Sequence, residues 1–229
     1  GCGAFFLAQD GISLRAPGFC NVNQLFDANT EQAYSLEVLR GPASTMYGTN
    51  AVHGVINLLT PNTFDVEQSH LSLSIGPHDY TRGMFNIANT GQQHGVMLYG
   101  NLTQDGGYLD DSGFDQQKVN LVHQYQGDKW QVKNVLAVTN LNQETAGFIK
   151  GFEAFKDPTL KTQNPNPEAF RDSKSFRVYS QINYVGDETT SFTITPYIRA
   201  TDMQFLQHYL PWQALEENSH SSVGLKAQF

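Results

Sequence analysis

The sequence lacks the features that mark a helical membrane protein, a nucleic-acid-binding protein or an enzyme. No apolar run reaches the roughly 18 residues that a membrane-spanning helix needs. With 14 Lys and Arg against 22 Asp and Glu, the net charge of −8 argues against a surface that binds phosphate groups. No phosphate-binding loop, dinucleotide fingerprint or nucleophile elbow is present. We therefore expect no enzyme activity, no cofactor and no nucleic-acid partner.

Metal-binding patterns are also lacking. The 7 histidines are scattered without a His-x-x-x-His pair, and the 2 cysteines are not adjacent to one another. Asp105, Asp110, Asp111 and Asp115 crowd one segment, but their spacing matches no EF-hand. A solvated acidic loop is therefore favoured over a calcium site, and we predict no metal site.

The chain starts without a methionine, a charged n-region or an apolar h-region, so we expect any secretion signal to lie outside this sequence. Cys2 and Cys20 flank a predicted hairpin, in which strands at 4–9 and 12–15 are joined by a turn at Asp10-Gly11. A disulfide between the cysteines is expected in an oxidising compartment, and two unpaired thiols are the alternative.

The segment from Ser35 to Thr60 has an unusual order of elements. Residues 36–40 alternate as a short strand, Gly-Pro ends it, and little more than one helical turn follows at 43–47. A tight reversal then leads into a buried strand at 55–59. By shape alone this is a strand–helix–strand unit of any α/β protein. A further short helix is predicted within 21–32.

The same segment resembles the plug-domain signature of TonB-dependent outer-membrane receptors along its whole length. The resemblance implies that the arginine of its Glu-Val-Leu-Arg-Gly-Pro motif pairs with acidic residues of a barrel wall and holds the plug. The alternative is a surface glutamate and arginine on an exposed strand. The docking residues that it implies are Glu37, Arg40, Gly41, Pro42, Tyr47, Gly48, Asn50 and Gly54.

Beyond Thr60 the alternation predicts eight long strands separated by short turns and long loops in a nearly regular order. Several strands reach the roughly 9–11 residues that cross a bilayer obliquely. A soluble β-sandwich alternates too, but its strands are shorter. Pro196 indicates a bulge or a misplaced boundary. The predicted strands are 67–76, 79–90, 93–104, 115–126, 129–142, 174–185, 189–201 and 218–229, with long loops at 105–114, 143–173 and 202–217.

Eight strands do not account for the whole architecture. A closed eight-stranded barrel is filled by its own side chains, and an open one leaves backbone groups unpaired in lipid. We therefore expect a fragment. The resemblance implies a mixed α/β segment, the C-terminal half of a plug domain (1–62). It implies that antiparallel transmembrane strands follow (63–229), as about the first eight strands of a 22-stranded β-barrel.

The function implied by the resemblance is TonB-dependent active uptake of a scarce nutrient, such as a ferric siderophore, across the outer membrane of a Gram-negative bacterium. Its partners would be TonB, the nutrient and outer-membrane lipid. No TonB-contacting box is found in the sequence. The rivals are a passive outer-membrane pore or adhesin without energy coupling, and a soluble β-rich enzyme domain.

Candidate ligand contacts are loops that family plugs and barrels present to the outside. In the plug segment they are Asp10, Gly11, Arg15 and Phe19, with ordinary turn residues as the alternative. In the loop 143–173, phenylalanines mixed with lysines would close over an anionic or aromatic ligand, or pack on each other. The residues chosen there are Phe148, Lys150 and Phe152.

Overall fold

A computed structural model gives the structure of the protein and describes residues 5–15, 25–48, 51–66, 68–187 and 190–229. The described residues form two sheets and one short helix. No helix among them is long and apolar enough to cross a membrane. The elements are β1 Phe5–Gln9, β2 Ile12–Ser13, β3 Ser35–Arg40, α1 Ser44–Tyr47, β4 Gly54–Leu59, β5 His70–Ile75, β6 Thr81–Thr90, β7 His94–Asp105, β8 Phe114–Gln126, β9 Trp130–Glu144, β10 Phe170–Asp187, β11 Thr190–Gln207 and β12 Ala214–Gln228.

The small sheet has the strand order β2-β1-β4-β3, with β1 parallel to β4 and the other pairs antiparallel. The predicted hairpin and the predicted strand–helix–strand unit are both confirmed. Asp10 and Gly11 have φ of 48° and 76°, the left-handed values that a two-residue hairpin turn requires. Gly48 ends α1 with φ of 88°. We call residues 5–66 of this part, as far as the structure describes them, the small unit.

The helix predicted within 21–32 is wrong as a continuous element. Two 3-10 turns, Leu25–Asp27 and Thr30–Gln32, occupy its described part. Asn29 separates them with φ of −81° and ψ of 80°, outside the helical region, and its side chain donates to Gln32 instead. Cys2, Phe19, Cys20 and Asn50 lie outside the described residues, and so does the predicted disulfide.

The large sheet contains β5 to β12 in sequence order, and all neighbours are antiparallel. The eight predicted strands are confirmed, but β10 and β11 have 18 residues each and extend further than predicted. The third long loop therefore shrinks to residues 208–213. No bulge occurs at Pro196: its neighbours keep one register, Tyr179 opposite Tyr197 and Ile182 opposite Ile194, and the irregularity lies near Val185 instead. Pro196 removes one donor without shifting the ladder.

The large sheet has an apolar face and a polar face, and their exposure is the reverse of that in a water-soluble sheet. We call the face that the small unit covers the inner face and the opposite one the outer face. One hydrogen-bonded row on the outer face is apolar across seven strands: Ile87, Leu98, Leu121, Leu136, Val178, Ile198 and Val223. Six of these side chains are between 36% and 79% exposed. The adjacent row on the inner face contains Asn120, Arg177 and Arg199, each at most 3% exposed. The apolar face is thus outside and the polar face is covered.

Aromatic rings line the short-turn end of the outer face. Trp130, Tyr184 and Phe192 lie opposite one another in β9, β10 and β11. The ring centroids of Trp130 and Tyr184 are 4.9 Å apart, and those of Tyr184 and Phe192 are 5.3 Å apart. Such rings are typical of the edge of a lipid-facing band.

Candidate functional site

The small unit lies against the inner face of the large sheet, and this interface is the main polar site of the molecule. Asp10 is at its centre. The Oδ2 atom of Asp10 lies 3.0 Å from Nζ of Lys133 and accepts a hydrogen bond of 2.8 Å from the hydroxyl of Tyr179. The Nε2 atom of Gln181 donates to the carbonyl of Asp10 at 3.0 Å. One turn of the small unit therefore contacts two strands of the large sheet.

A second contact lies around Asp27, which is fully buried. Its carboxylate accepts a 3.0 Å hydrogen bond from Nε of Arg15 within the small unit. It accepts another, at 3.2 Å, from the hydroxyl of Ser173 in β10. The backbone carbonyl of Asp27 accepts from Nη2 of Arg177, which also donates to Oε1 of Gln9 at 3.0 Å. Asp27 thus joins the small unit to the large sheet.

The third contact is the ion pair between Glu31 and Lys118, with 3.0 Å between Oε2 and Nζ. Burial alone would raise the pKa of Glu31. The charge and hydrogen bonds of Lys118 outweigh that effect and hold the pKa of Glu31 below its ordinary value. Glu31 therefore stays ionised at neutral pH and keeps the pair intact.

An apolar contact lies between these polar ones. Ile12, on the return strand of the hairpin, is 3% exposed and packs with Met97, Tyr99, Val122 and Val135 of the large sheet. Burial of such a side chain contributes about 1.5–3 kcal/mol. Val66, also of the small unit, is partly buried against the same cluster. The small unit is therefore held by apolar contacts beside charged and polar ones.

The fold can be compared with known proteins once this arrangement is clear. No family model matches the sequence. The ferric citrate transporter FecA in its unliganded form superposes with a TM-score of 0.77 at 15% identity, over 98% of this chain and 35% of that one. The ferric-catecholate import receptor Fiu from E. coli K12, open form, has a TM-score of 0.70 at 16% identity, over 96% and 37%. The fold is that of the TonB-dependent outer-membrane receptors.

A further match is the ferric yersiniabactin uptake receptor FyuA from Yersinia pestis, with a TM-score of 0.71, 18% identity, and coverage of 88% of this chain and 32% of that one. At such identities the likeness establishes the fold alone. The chain spans about a third of the length of these receptors and transporters. None of the three is an enzyme by its description.

The described receptor-signature residues lie in the segment from β3 to the start of β4, and the ring of one of them, Tyr47, faces Lys226 of the large sheet. β3 is the edge strand of the small sheet, and Glu37 and Arg40 on it are exposed. The carboxylate of Glu37 accepts a 2.8 Å hydrogen bond from Asn57. Within the described ranges Arg40 makes no ion pair. Docking through this pair stays a prediction.

The remaining signature residues shape the backbone beside β3. Gly41 has φ of 98°, and a Cβ on Gly54 would lie 2.7 Å from the carbonyl oxygen of Leu39. Pro42 is exposed and precedes α1, and the ring of Tyr47 lies 5.5 Å from that of Phe6. Burial and the nearby charge of Glu37 raise the pKa of Tyr47. The positive φ of Gly41 and the close approach at Gly54 thus suit glycine at these two positions. Docking of the signature residues to a barrel wall stays a prediction.

The hairpin residues expected to touch a ligand are instead engaged with the large sheet. Asp10 and Gly11 lie beside Lys133 and Gln181, nearer to the short turns than to the long loops. Arg15 lies nearer to the long loops, beside Met203, and is 2% exposed. The Asp10-Gly11 turn therefore lies near the short-turn end of the inner face. Ligand contact by Asp10, Gly11 and Arg15 stays a prediction.

The long loop between β9 and β10 does present exposed rings. Phe148 and Phe152 are 85% and 97% exposed, so self-packing does not bury them. Phe148 and Lys150 line a cavity of about 610 Å³ together with His208 and Tyr209 from the loop between β11 and β12. Phe152 lies outside the lining. Two of the three residues chosen in this loop are thus brought to one cavity.

Sequence reasoning missed the docking residues of the large sheet: Lys118, Lys133, Ser173, Arg177, Tyr179, Gln181 and Arg199. Each of them lies at an inner-face position of an alternating strand. Charged residues that alternate with an apolar outer face were therefore a usable signal. The partners of these residues could not be predicted in this way, because the contacts join positions as far apart as Asp10 and Tyr179.

Proposed function

We propose that the chain is part of an outer-membrane receptor for active nutrient uptake. In this proposal residues 1–62, which contain all of the small unit except its last four residues, are the C-terminal half of a plug. The large sheet, within 63–229, forms about eight strands of a larger barrel of 22. The observation that carries the proposal is the inverted large sheet, with an apolar outer face and a polar inner face that holds the small unit through buried ion pairs.

The energetics favour this interpretation over a water-soluble one. A row of exposed apolar side chains across seven strands would be costly in water but suits the hydrocarbon region of a bilayer. The strands of 12 to 18 residues from β7 to β11 are long enough to span it with tilt. A soluble β-rich enzyme domain explains neither feature.

The ligand is proposed to bind at the long-loop end. The cavity lined by Phe148, Lys150, His208 and Tyr209 is within the size range of small-molecule sites. It combines rings with a lysine, which suits an anionic or aromatic nutrient complex such as a ferric siderophore. The similar proteins are named for ferric catecholate, ferric citrate and ferric yersiniabactin, and these give the first ligands to test.

Energy coupling is proposed through TonB, with a location in the outer membrane of a Gram-negative bacterium. Removing the small unit from the inner face requires breaking the Asp10, Asp27 and Glu31 contacts together. Thermal motion alone does this rarely, because the ion pairs of Asp10 and Glu31 and the hydrogen bonds of Asp27 must all be broken at once. A pulling partner that draws on inner-membrane energy would supply the work.

The test is uptake of radiolabelled ferric catecholate and ferric citrate by cells with and without the gene that encodes the chain. We expect the protein in the outer-membrane fraction, and uptake that needs both this gene and TonB. Uptake that persists without TonB would support the passive pore instead. Absence from the outer membrane would contradict both barrel interpretations.

A further inference from the structure

The inner face of the large sheet carries more cations than the small unit has carboxylates to pair with them. Arg171 and Arg177 lie on β10, and Arg199 lies on β11. Arg15 joins them from the small unit: its guanidinium and that of Arg171 lie 5.5 and 5.8 Å from the ring centroid of Phe26. Arg15, Arg171 and Arg177 thus contact residues 26 and 27 of the small unit. Arg199 lies opposite Arg177 and contacts Ser13 instead.

Arg177 and Arg199 lie directly opposite each other on the same face of neighbouring strands. Both are nearly fully buried, at 1% and 3% exposure. Like charges at opposite positions of a strand pair repel, and burial removes the water that would screen them. Such a pair requires a compensating negative charge or acceptor nearby.

The acceptors that these two arginines have are neutral. Arg177 donates to the side-chain oxygen of Gln9 and to the backbone carbonyl of Asp27. Arg199 donates to the backbone carbonyl of Ser13 at 2.5 Å and to the hydroxyl of Ser222 at 2.7 Å. Two of these acceptors, on Gln9 and Ser13, belong to the β1–β2 hairpin. The hairpin therefore occupies the guanidinium groups without neutralising them.

Among the described residues, the carboxylates near the cluster are Asp27 and Glu216. The carboxylate of Asp27 is already taken by Arg15 and Ser173, and Glu216 interacts with Arg171. The segment 16–24, which adjoins Arg15 in sequence, contains no aspartate or glutamate. Among the described residues no carboxylate forms an ion pair with Arg177 or Arg199.

The cations continue towards the short turns. Lys133 and Lys226 line a cavity of about 530 Å³ between the small unit and the large sheet. Lys133 is paired with Asp10, whereas Nζ of Lys226 faces the ring of Tyr47 at 5.6 Å. The inner face thus has cations at successive levels: Arg171 near the long loops, Arg177 and Arg199 in the middle, and Lys226 below.

We propose that Arg177 and Arg199 form an anion-binding step on the route of the transported solute, and that the solute carries carboxylate or other oxyanion groups. Their guanidinium groups match the two oxygens of such an anion. While the hairpin is in place, Gln9 and Ser13 occupy the two guanidinium groups. When the hairpin leaves, the anion takes the place of these acceptors. Rows of Arg and Lys select anions in pores by the same electrostatics. The proposal rests on the proposed function, and it adds the charge of the solute and the residues that select it.

The test measures the ion selectivity of the full-length protein that contains this chain, in planar lipid bilayers. The urea concentration is raised stepwise but kept below the concentration that unfolds the large sheet. Hydrogen exchange of residues 9–13 shows when the hairpin is released. With potassium chloride gradients we expect chloride to permeate about threefold or more over potassium. Arg177→Gln with Arg199→Gln should abolish that preference. Arg177→Lys with Arg199→Lys should retain it, because the charge remains.

Arg82→Gln is the matched control, since Arg82 is an inner-face arginine on β6 that contacts Thr103 and Tyr80, away from the cluster. The control should leave the selectivity unchanged. A wild-type pore without anion preference would overturn the proposal. So would an equal loss in Arg82→Gln, a released hairpin with no conductance, or a hairpin that stays protected until the large sheet unfolds. Failure of the uptake assay alone would instead overturn the proposed function.

Discussion

Asp10 and Lys133 form an ion pair between two parts of the chain, with 3.0 Å between Oδ2 and Nζ. The aspartate side chain is 4% exposed and the lysine side chain 17%. The pair connects the turn of the β1–β2 hairpin with β9 of the large sheet. Because the hydroxyl of Tyr179 donates to the same carboxylate oxygen, the contact spans two strands.

Asp10→Asn should weaken docking of the small unit. The amide keeps the shape but leaves the ammonium group of Lys133 without its counter-charge, and this costs about 2–3 kcal/mol for a mostly buried pair. Hydrogen exchange of β1 and β2 in urea measures the loss. Asp65→Asn is the control, because the carboxylate of Asp65 accepts an exposed hydrogen bond from Asn62. Equal effects of the two changes would refute a docking role for Asp10.

Docking of the small unit should weaken in acid through Glu31. Its pKa is lowered in the folded protein, so its contribution is present above the ordinary value of 4.5 and is lost as pH falls through the lower folded value. Glu31→Gln should remove this part of the acid dependence. Urea titrations of hydrogen exchange in β1, at neutral pH and below about pH 4, test it. An unchanged acid slope in the variant would show that Glu31 does not titrate with docking.

Leu121→Arg should destabilise the large sheet in lipid by about 2–4 kcal/mol, the cost of an arginine near the middle of a lipid-facing band. Leu121 lies in the apolar outer row and is 40% exposed. Ser219→Arg is the control, since Ser219 is on the outer face near the long loops, opposite Asp202. Folding titrations in phospholipid vesicles give both values. Similar small costs for the two would argue against lipid contact.

Lys150→Gln should reduce affinity for an anionic ferric complex by up to about fivefold, because an exposed charge contributes at most about 1 kcal/mol. Lys150 lines the cavity at the long-loop end. Lys161→Gln, in the same loop but outside the lining, should have no effect. Binding of ferric citrate and ferric catecholate to outer-membrane preparations measures the difference. A larger loss in the Lys161 variant would place the ligand elsewhere.

The strands of the large sheet could be predicted from the sequence because their signal is local. In β10, Phe176 and Val178 face outward while Arg177 and Tyr179 face inward, and this alternation is visible in four consecutive letters. The ends of β10 and β11 were harder, since polar residues on both faces hide where pairing stops. Only the partner strand shows that Arg171 still pairs with Gln143.

The docking contacts could not be predicted, because they depend on how two sheets meet. Asp10 was recognised as a turn residue, and Lys133 as one polar residue in a strand, but nothing in the sequence joins them. The same holds for Gln9 and Arg177, which are 168 positions apart. The resemblance drew attention to Glu37 and Arg40, whereas the contacts in the structure lie on the hairpin and the 3-10 turns.

The orientation of the large sheet towards lipid is tested most directly by its 2 tryptophans. Trp130 lies in the aromatic row of the outer face, and Trp212 is 72% exposed in the loop between β11 and β12. The difference in fluorescence between the wild type and Trp130→Phe gives the signal of Trp130, and the difference from Trp212→Phe gives that of Trp212. In vesicles of brominated phospholipid, Trp130 fluorescence should be strongly quenched and Trp212 fluorescence should not. An unquenched Trp130 would contradict the membrane-spanning wall on which the account depends.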